Sequence, residues 1–394
     1  MAINWNNISY DSLVNDPNIA VKIAQEIERT SWLKSPFACF VGKGGDRGVR
    51  HYDVNVCQPY RPRLKNKLTG DGVDGNTDLN ANYDNLEILN QTIYPRVIAN
   101  ALRSEIKHYT TMKGINFAKE ASDSLSEWIM DRRDRELVTA LSNDFTNAVV
   151  ASATTGTGYA DTTSAESIAE VTKNIQKGDV CNVALLRRAI FMARTDLRYN
   201  GDVAFPMKPI KSDLVSQKGI SYCHNSYIIL LDSYQANQLK ADEEWKDIQK
   251  YAGARGDENN LFTGLLGMID GCPVLDMNIW SAMQVGMLNS NISDTEFKKH
   301  IHAQNHSQLT PPSYYTGDNP ISIGALIGAS ALIMVGTDKP QFYFNDKEDM
   351  GRKVACGVDR ILSISKGRFA LESGSLSPFS NQDFATIGIF TSCE

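Results

Sequence analysis

Several things are missing from this 394-residue chain, and each absence removes a class of protein. No run is apolar for long enough to span a bilayer as a helix. The longest, Ile321 to Val335, is interrupted by two glycines and two serines and falls short of the roughly 20 residues a span needs. The opening segment, MAINWNNISYDSLVNDP, carries neither a basic n-region nor an apolar h-region, so no secretory leader is expected. Cysteine is sparse and scattered, seven residues at 39, 57, 181, 223, 272, 356 and 393, with no C-x-x-C and an odd total. That fits free thiols in a reducing cytoplasm, in a soluble intracellular product. Positive charge is also short: 40 Lys+Arg against 46 Asp+Glu give a net charge of −6. A protein whose main task is gripping a nucleic-acid backbone is usually basic, so that task is disfavoured.

Catalytic and ligand motifs fail in detail. Gly42-Lys43-Gly44-Gly45-Asp46-Arg47-Gly48 has neither the spacing nor the hydroxyl of a P-loop. Gly70 to Gly75 spells G-x-G-x-x-G, but no apolar strand precedes it and no helix opens on it. Read as an EF-hand around Gly75, it offers Gly70, Gly72 and Asp74 at the first ligand positions and Ala81 at the twelfth, so a turn is expected. His300, His302 and His306 include one i, i+4 pair, but no H-E-x-x-H forms and Pro311-Pro312 follows closely. A solvated loop without a functional metal is expected there, and Arg255-Gly256-Asp257 is read as a loop too. Neither Gly328-Ala329-Ser330-Ala331 nor Gly374-Ser375 completes a nucleophile elbow. No catalytic residue, cofactor site or metal site is assigned, and no enzyme is expected.

What is present is one long stretch of helical periodicity, Gly114 to Val150. Ala118, Ala121, Leu125, Trp128 and Ile129, then Leu137, Val138, Leu141, Phe145, Ala148 and Val149, recur at three- and four-residue steps. That is one apolar helical stripe. Between its halves, Asp131–Arg135 and Arg132–Glu136 stand one turn apart, pairs worth about 0.2–0.5 kcal/mol each. Asn116 is the expected N-cap and Thr154-Thr155-Gly156-Thr157-Gly158 the stop. The helix would span roughly 50 Å at 1.5 Å per residue. Leu125, Trp128, Leu137, Leu141 and Phe145 are its expected core residues. A long core helix of an α/β enzyme would look the same on this stretch alone.

Around it the chain changes character. Residues 1–49 read as an arm containing a short amphipathic helix, Asp16 to Glu28, with Asp16 at the N-cap and Pro17 at the first helical position. Residues 50–110 read as a long two-stranded loop with too little apolar surface to stand alone. On it Arg61, Arg63, Lys65 and Lys67 alternate, which places four cations on one face of an extended segment. Thr154 to Glu170 is small and polar, a linker. A second amphipathic helix is expected within Asp179–Arg198, strands at Tyr227–Leu231 and Cys272–Leu275, and a helix from Asp232 to Leu239. Residues 289–319 are a polar, proline-bearing excursion. The end is strand-rich: Ile321–Val335, Gln341–Phe344, Lys353–Ile364 and Phe384–Phe390. The fold class is α+β, and with 42% hydrophobic residues two or three lobes are expected.

Three blocks carry a resemblance. Tyr227 to Lys240, ending at Trp245, looks like the strand–helix unit that opens the axial lobe of phage capsid subunits. Leu261-Phe262-Thr263-Gly264-Leu265-Leu266-Gly267-Met268-Ile269-Asp270-Gly271 is similar to a block of the N4-like major capsid proteins. Ala325 to Ala331, then Phe342 and Asp349-Met350-Gly351, resemble that family's later segments, and Leu68 to Gly72 falls in the expected order. The likeness covers roughly residues 60–370. Met350 stands where the family often has an aromatic, and Asp232 where it often has histidine.

The resemblance implies an HK97-like capsid fold, with an N-terminal arm (1–49), an extended β-hairpin loop (50–110) and a peripheral lobe carrying the spine helix (111–179). An axial lobe (180–319) and C-terminal strands completing the peripheral lobe (320–394) follow. It implies a structural role, self-assembly through hexameric and pentameric capsomers into an icosahedral head in the host cytoplasm. The implied partners are further copies of the chain, a portal, decoration or scaffolding proteins and, non-specifically, packaged double-stranded DNA, with no membrane. Arg61, Arg63, Lys65 and Lys67 are expected to meet an acidic surface of an adjacent subunit. A cellular nanocompartment shell of the same fold, a tail or sheath protein and a soluble enzyme of unknown class remain as alternatives.

Overall fold

The computed structural model describes residues 16–33, 35–65, 72–81, 88–106, 117–142, 145–162, 167–217, 220–253, 265–277, 319, 321–369 and 382–393. Asn116, Lys67 and the histidines at 300, 302 and 306 lie outside them, as do Arg255-Gly256-Asp257, Gly374-Ser375 and most of 289–319.

In chain order, Asp16 opens helix Pro17–Leu33 (α1), its Oδ1 accepting from Asn18 N at 2.9 Å. Strands Val41–Gly42 (β1) and Val49–Asp53 (β2) follow. A hairpin pairs Arg63–Lys65 (β3) with Ile88–Asn90 (β4), and Arg96–Arg103 (β5) succeeds it. Phe117–Ser142 (α2) is the long helix. Next come Ala148–Ser152 (β6), Gly158–Tyr159 (β7) and the helices Ile168–Lys173 (α3) and Val183–Thr195 (α4). Asn182 caps α4 by accepting from Leu185 N at 2.8 Å, and Asp196 ends it in a left-handed conformation. Lys211–Gln217 (β8) and Ile220–Ser226 (β9) form a separate ribbon, followed by Ile228–Leu231 (β10). Helices Ser233–Ala241 (α5) and Glu243–Gly253 (α6) precede Leu265–Ile269 (β11) and Cys272–Asp276 (β12). The end supplies Ile321–Ile327 (β13), Leu332–Gly336 (β14), Gln341–Glu348 (β15), Lys353–Lys366 (β16) and Thr386–Ser392 (β17).

Two mixed sheets organise these elements. One runs β1-β2-β14-β16-β15, with β5 on the opposite edge of β16. Helices α1 and α2 cover it: Ile23, Ala24 and Ile27 meet Ala121, Leu125 and Ile129 over Phe342, Cys356 and Val358. The other runs β11-β12-β10-β13-β17-β6-β7. Its core takes Leu185, Leu186 and Ala189 of α4 against β6 and β17, and the second half of α2 through Leu137 and Leu141. The spine helix therefore reaches both cores.

One expectation needs correction. The long helix stops at Ser142, and Ala148 and Val149 belong to β6, paired in parallel with Gly388 and Ile389. A strand covered on both faces reads as an unbroken apolar run, which over a few residues is indistinguishable from a helical stripe. The run Ile321–Val335 is two strands. It crosses from the seven-stranded sheet to the six-stranded one at Gly328–Ala331, where a Cβ on Gly328 would meet Lys208 O at 2.7 Å. Residues 320–394 therefore contribute to both sheets: β13 and β17 lie in the seven-stranded sheet, β14 to β16 in the other.

Candidate assembly interface

The 50–110 segment is anchored at both ends. Leu332–Gly336 of β14 pairs in parallel with Val49–Asp53, and β5 pairs with β16 from Arg103↔Ala355 to Arg96↔Leu362. Between these anchors the described residues form the short β3–β4 hairpin, in register Arg63↔Asn90, Leu64↔Leu89, Lys65↔Ile88, a bridge Tyr60↔Ile93 and a 3-10 turn at Leu79–Ala81. Arg61 is exposed, and Arg63 and Lys65 occupy alternate positions of β3. Four exposed apolar side chains, Val56, Leu79, Tyr94 and Val97, lie on this segment. The base of the segment joins a small core, Ile93 with Tyr52, Val54 and Tyr60 against Phe205, Ile333, Val335 and Phe369, while the exposed apolar groups remain without cover in the single subunit.

The spine helix offers a surface of opposite sign. Glu120, Asp123, Glu127 and Asp131 recur at three- and four-residue steps and are all exposed, with Lys119 beside them. Such spacing puts four carboxylates on one helical face. They were legible in the sequence but masked there by the stronger apolar stripe. Leu125, Leu137 and Leu141 are buried on the other side, and half-buried Trp128 touches both cores. Phe145 lies beyond the helix end, edge-to-face with Phe390 at 5.7 Å.

Sequence reasoning missed the group that fastens α1 to α2. Arg133 is fully buried, its guanidinium 3.3 Å above the Trp32 ring, a close cation–π stack. Its Nη1 donates to Ser31 Oγ at 3.2 Å and its Nη2 to Ser31 O at 3.0 Å. Glu28 lies 3.9 Å from Arg133 and 2.9 Å from Arg360 of β16, and accepts from Trp32 Nε1 at 2.6 Å. Asp134, also buried, accepts from Ser35 Oγ at 2.8 Å. Burial outweighs the neighbouring Arg133 and pushes the Asp134 carboxyl up to about 6; burial also lowers Arg133 to about 10. Of the two expected pairs in this run, Arg132–Glu136 forms at 2.9 Å, joined by Arg96; Arg135 Nε donates to the Asp131 backbone carbonyl at 2.9 Å, and the Asp131 charge acts on Arg135. The middle of the charged run is a buried bolt, because α1 covers it.

Among the described residues no three His, Cys, Asp or Glu side chains are placed to hold a metal ion, and no helix is long and apolar enough to cross a membrane.

A profile of phage capsid proteins matches residues 60–393. The "Major structural protein ORF14" of Helicobacter pylori bacteriophage KHP30 is 43% identical over 403 aligned positions, covering 99% of both chains. Two solved structures are similar along nearly the whole length. The acidic stable capsid of Helicobacter pylori bacteriophage KHP30 has a TM-score of 0.71 at 42% identity, covering 98% of this chain and 99% of that one. The head of bacteriophage KHP40 gives 0.71 at 43%, covering 99% and 100%. The α+β architecture of two lobes sharing a spine helix, fringed by a projecting hairpin, is the HK97-like capsid fold. This chain belongs to the phage capsid protein family.

Proposed function

We propose that this chain is the major capsid protein of a phage head, assembling through hexamers and pentamers into an icosahedral shell around double-stranded DNA. The observation that carries the reading is end-to-end similarity to a major structural protein and to two solved capsid and head structures. The apolar groups Val56, Leu79, Tyr94 and Val97 left exposed on the extended segment fit a closed symmetric assembly, where a neighbour supplies the covering surface. Assembly in the host cytoplasm, a portal at one vertex and scaffolding or decoration proteins belong to the same reading. The Tyr227–Lys240, Leu261–Gly271 and Ala325–Ala331 blocks support placement among the N4-like subunits. Residues 1–49 act as arm, 50–110 as extended loop and 111–179 as spine region. Residues 180–319, joined by β13 and β17, form the axial lobe, and β14 to β16 the peripheral one.

Within that shell, Arg61, Arg63, Lys65 and Lys67 dock on the Glu120, Asp123, Glu127 and Asp131 face of an adjacent copy. The lengths are comparable: Arg61 to Lys65 cover about 13 Å at strand rise, and the carboxylates about 16 Å at helix rise. Arg61→Glu with Arg63→Glu would set like charges face to face, costing several kcal/mol per contact, on the order of a hundredfold or more in association. Expressed alone, the wild-type chain should sediment as closed shells and the double variant as folded monomers or open capsomers with wild-type circular dichroism. A wild-type chain that never closes sinks the capsid reading; a variant with a normal shell peak sinks this contact.

A further inference from the structure

The glycine-rich 42–48 loop, which fails as a P-loop, gathers positive charge from three stretches of chain. Lys208 Nζ donates to Gly45 O at 3.4 Å, and a Cβ on Gly45 would stand 3.6 Å from Arg50 Nη1. Arg47 folds back over Gly42, its Nε 3.3 Å from where a Cβ there would be. Arg47 and Lys208 are exposed and Arg50 is half-buried. The backbone beneath them is fixed by the segment that crosses between the two sheets. Ala329 N donates to Lys208 O at 2.8 Å, Ser330 N to Arg47 O at 2.7 Å and Leu332 N to Gly48 O at 3.1 Å, and Arg50 pairs with Ile333 of β14.

Among the described residues none of these three cations has a carboxylate within 4.0 Å. Arg50 makes no side-chain hydrogen bond either: its guanidinium lies over the Tyr52 ring at 4.7 Å, and its Nε is buried without an acceptor. Stacking occupies the flat face of a guanidinium and leaves the N–H groups in its plane to donate. The other cation of the loop, Lys43, is held by Asp338 at 3.1 Å. Asp46 is the loop's one carboxylate, and its Oδ1 stands where a Cβ on Gly44 would collide with it. Cations held in place through their backbone, and not by opposite charges, keep their donors for an anion from outside.

The chemistry of the cluster favours phosphate. A chain of net charge −6 repels a polyanion over most of its surface, so such a partner can approach only where cations are gathered and unneutralised. Guanidinium forks match phosphate oxygens, and a lysine ammonium serves them as a point charge. Gly44 and Gly45 carry no side chain, so a phosphodiester strand can come up to the main chain of the loop. Duplex DNA carries about one negative charge per 1.7 Å of its axis, enough for several phosphates to reach the three cations together.

We propose that Arg47, Arg50 and Lys208 form a contact for the phosphodiester backbone of the enclosed DNA. The contact is independent of base sequence, because phosphates carry none of that information. It rests on the shell-forming reading, and it puts the 42–48 loop and Lys208 on the inner surface of the shell.

The probe is a labelled duplex of about 30 base pairs, titrated against the unassembled subunit between about 50 and 200 mM salt. Wild-type affinity should fall steeply with salt. Arg47→Gln with Lys208→Gln, its circular dichroism unchanged, should bind more weakly and make the slope of log affinity against log salt shallower by about two, roughly one per lost phosphate contact. Lys240→Gln, at an exposed lysine of α5, should leave that slope as it is. In DNA-filled heads Lys208 should be acetylated several-fold more slowly than in emptied ones. No duplex binding by wild type at the lowest salt, an equal slope in the double variant, or equal acetylation overturns the proposal. A folded double variant that binds duplex like wild type and fails to close shells makes the cluster a contact between copies, which also overturns it. In each of these cases wild-type shells leave the capsid reading intact; a wild type that never closes overturns both.

Discussion

In the six-stranded lobe α1 is fastened by charge: Glu28 bridges Arg133 and Arg360, with Trp32 stacked on the first. In the seven-stranded lobe α5 is fastened chiefly by neutral groups. Gln235 Nε2 donates to Ser322 O at 3.2 Å and to Ile389 O at 3.0 Å, and Ser322 Oγ donates to Asp232 at 2.7 Å. Between those anchors every residue of β13 and β17 is buried. The difference teaches where each lobe is fragile. A neutral amide bond, once lost, costs about 0.5–1.5 kcal/mol amid much apolar burial. A buried ion that loses its partner leaves an uncompensated charge, which costs far more.

The sharpest way to break this contrast is Glu28→Gln, which leaves Arg133 and Arg360 buried without their shared carboxylate. Chemical denaturation of the unassembled subunit should show a loss of about 3–5 kcal/mol. A loss below 1 kcal/mol would mean the charges are no more important to their lobe than the amide is to the other. Leu141→Ala probes the spine where it enters the seven-stranded core, and a loss of about 2–5 kcal/mol is expected for a fully buried leucine. An unchanged midpoint would remove the helix from its role in joining the lobes.

Asp134→Asn sharpens the comparison by pH. Its folded pKa, raised to about 6 from the ordinary 3.8, means that the folded state holds the proton more tightly. That contribution is fully present below pH 3.8 and is lost as pH rises through about 6. The amide keeps an acceptor for Ser35 and carries no charge. Stability of the variant relative to wild type should therefore rise by up to roughly 3 kcal/mol between pH 3.5 and 7.5. A pH-independent difference would show that Asp134 ionises freely.

Local features were legible wherever a residue's environment is set by its near neighbours. Asp16 and Pro17 mark the start of α1, Asn182 caps α4, and the stripe from Ala118 to Leu141 runs along α2. The cationic alternation from Arg61 and the acidic steps from Glu120 are likewise readable, since strand and helix periods fix which residues share a face. The partner of the cations was not, because two charged faces on one chain do not say which meets which across a subunit boundary.

By itself, then, the sequence determined most element types, the apolar and charged faces, and the blocks that resemble a capsid subunit. Tertiary structure alone decided that Val149 is in a strand, that Ile321–Val335 divides between two sheets, and that Arg133 and Asp134 are inside. The reason is common to all three. Each depends on a residue distant in sequence: Ile389 beside Val149, Val49 beside Leu332, Ser35 and Trp32 over α2. Periodicity records which way a side chain points and carries no information about what arrives to cover it.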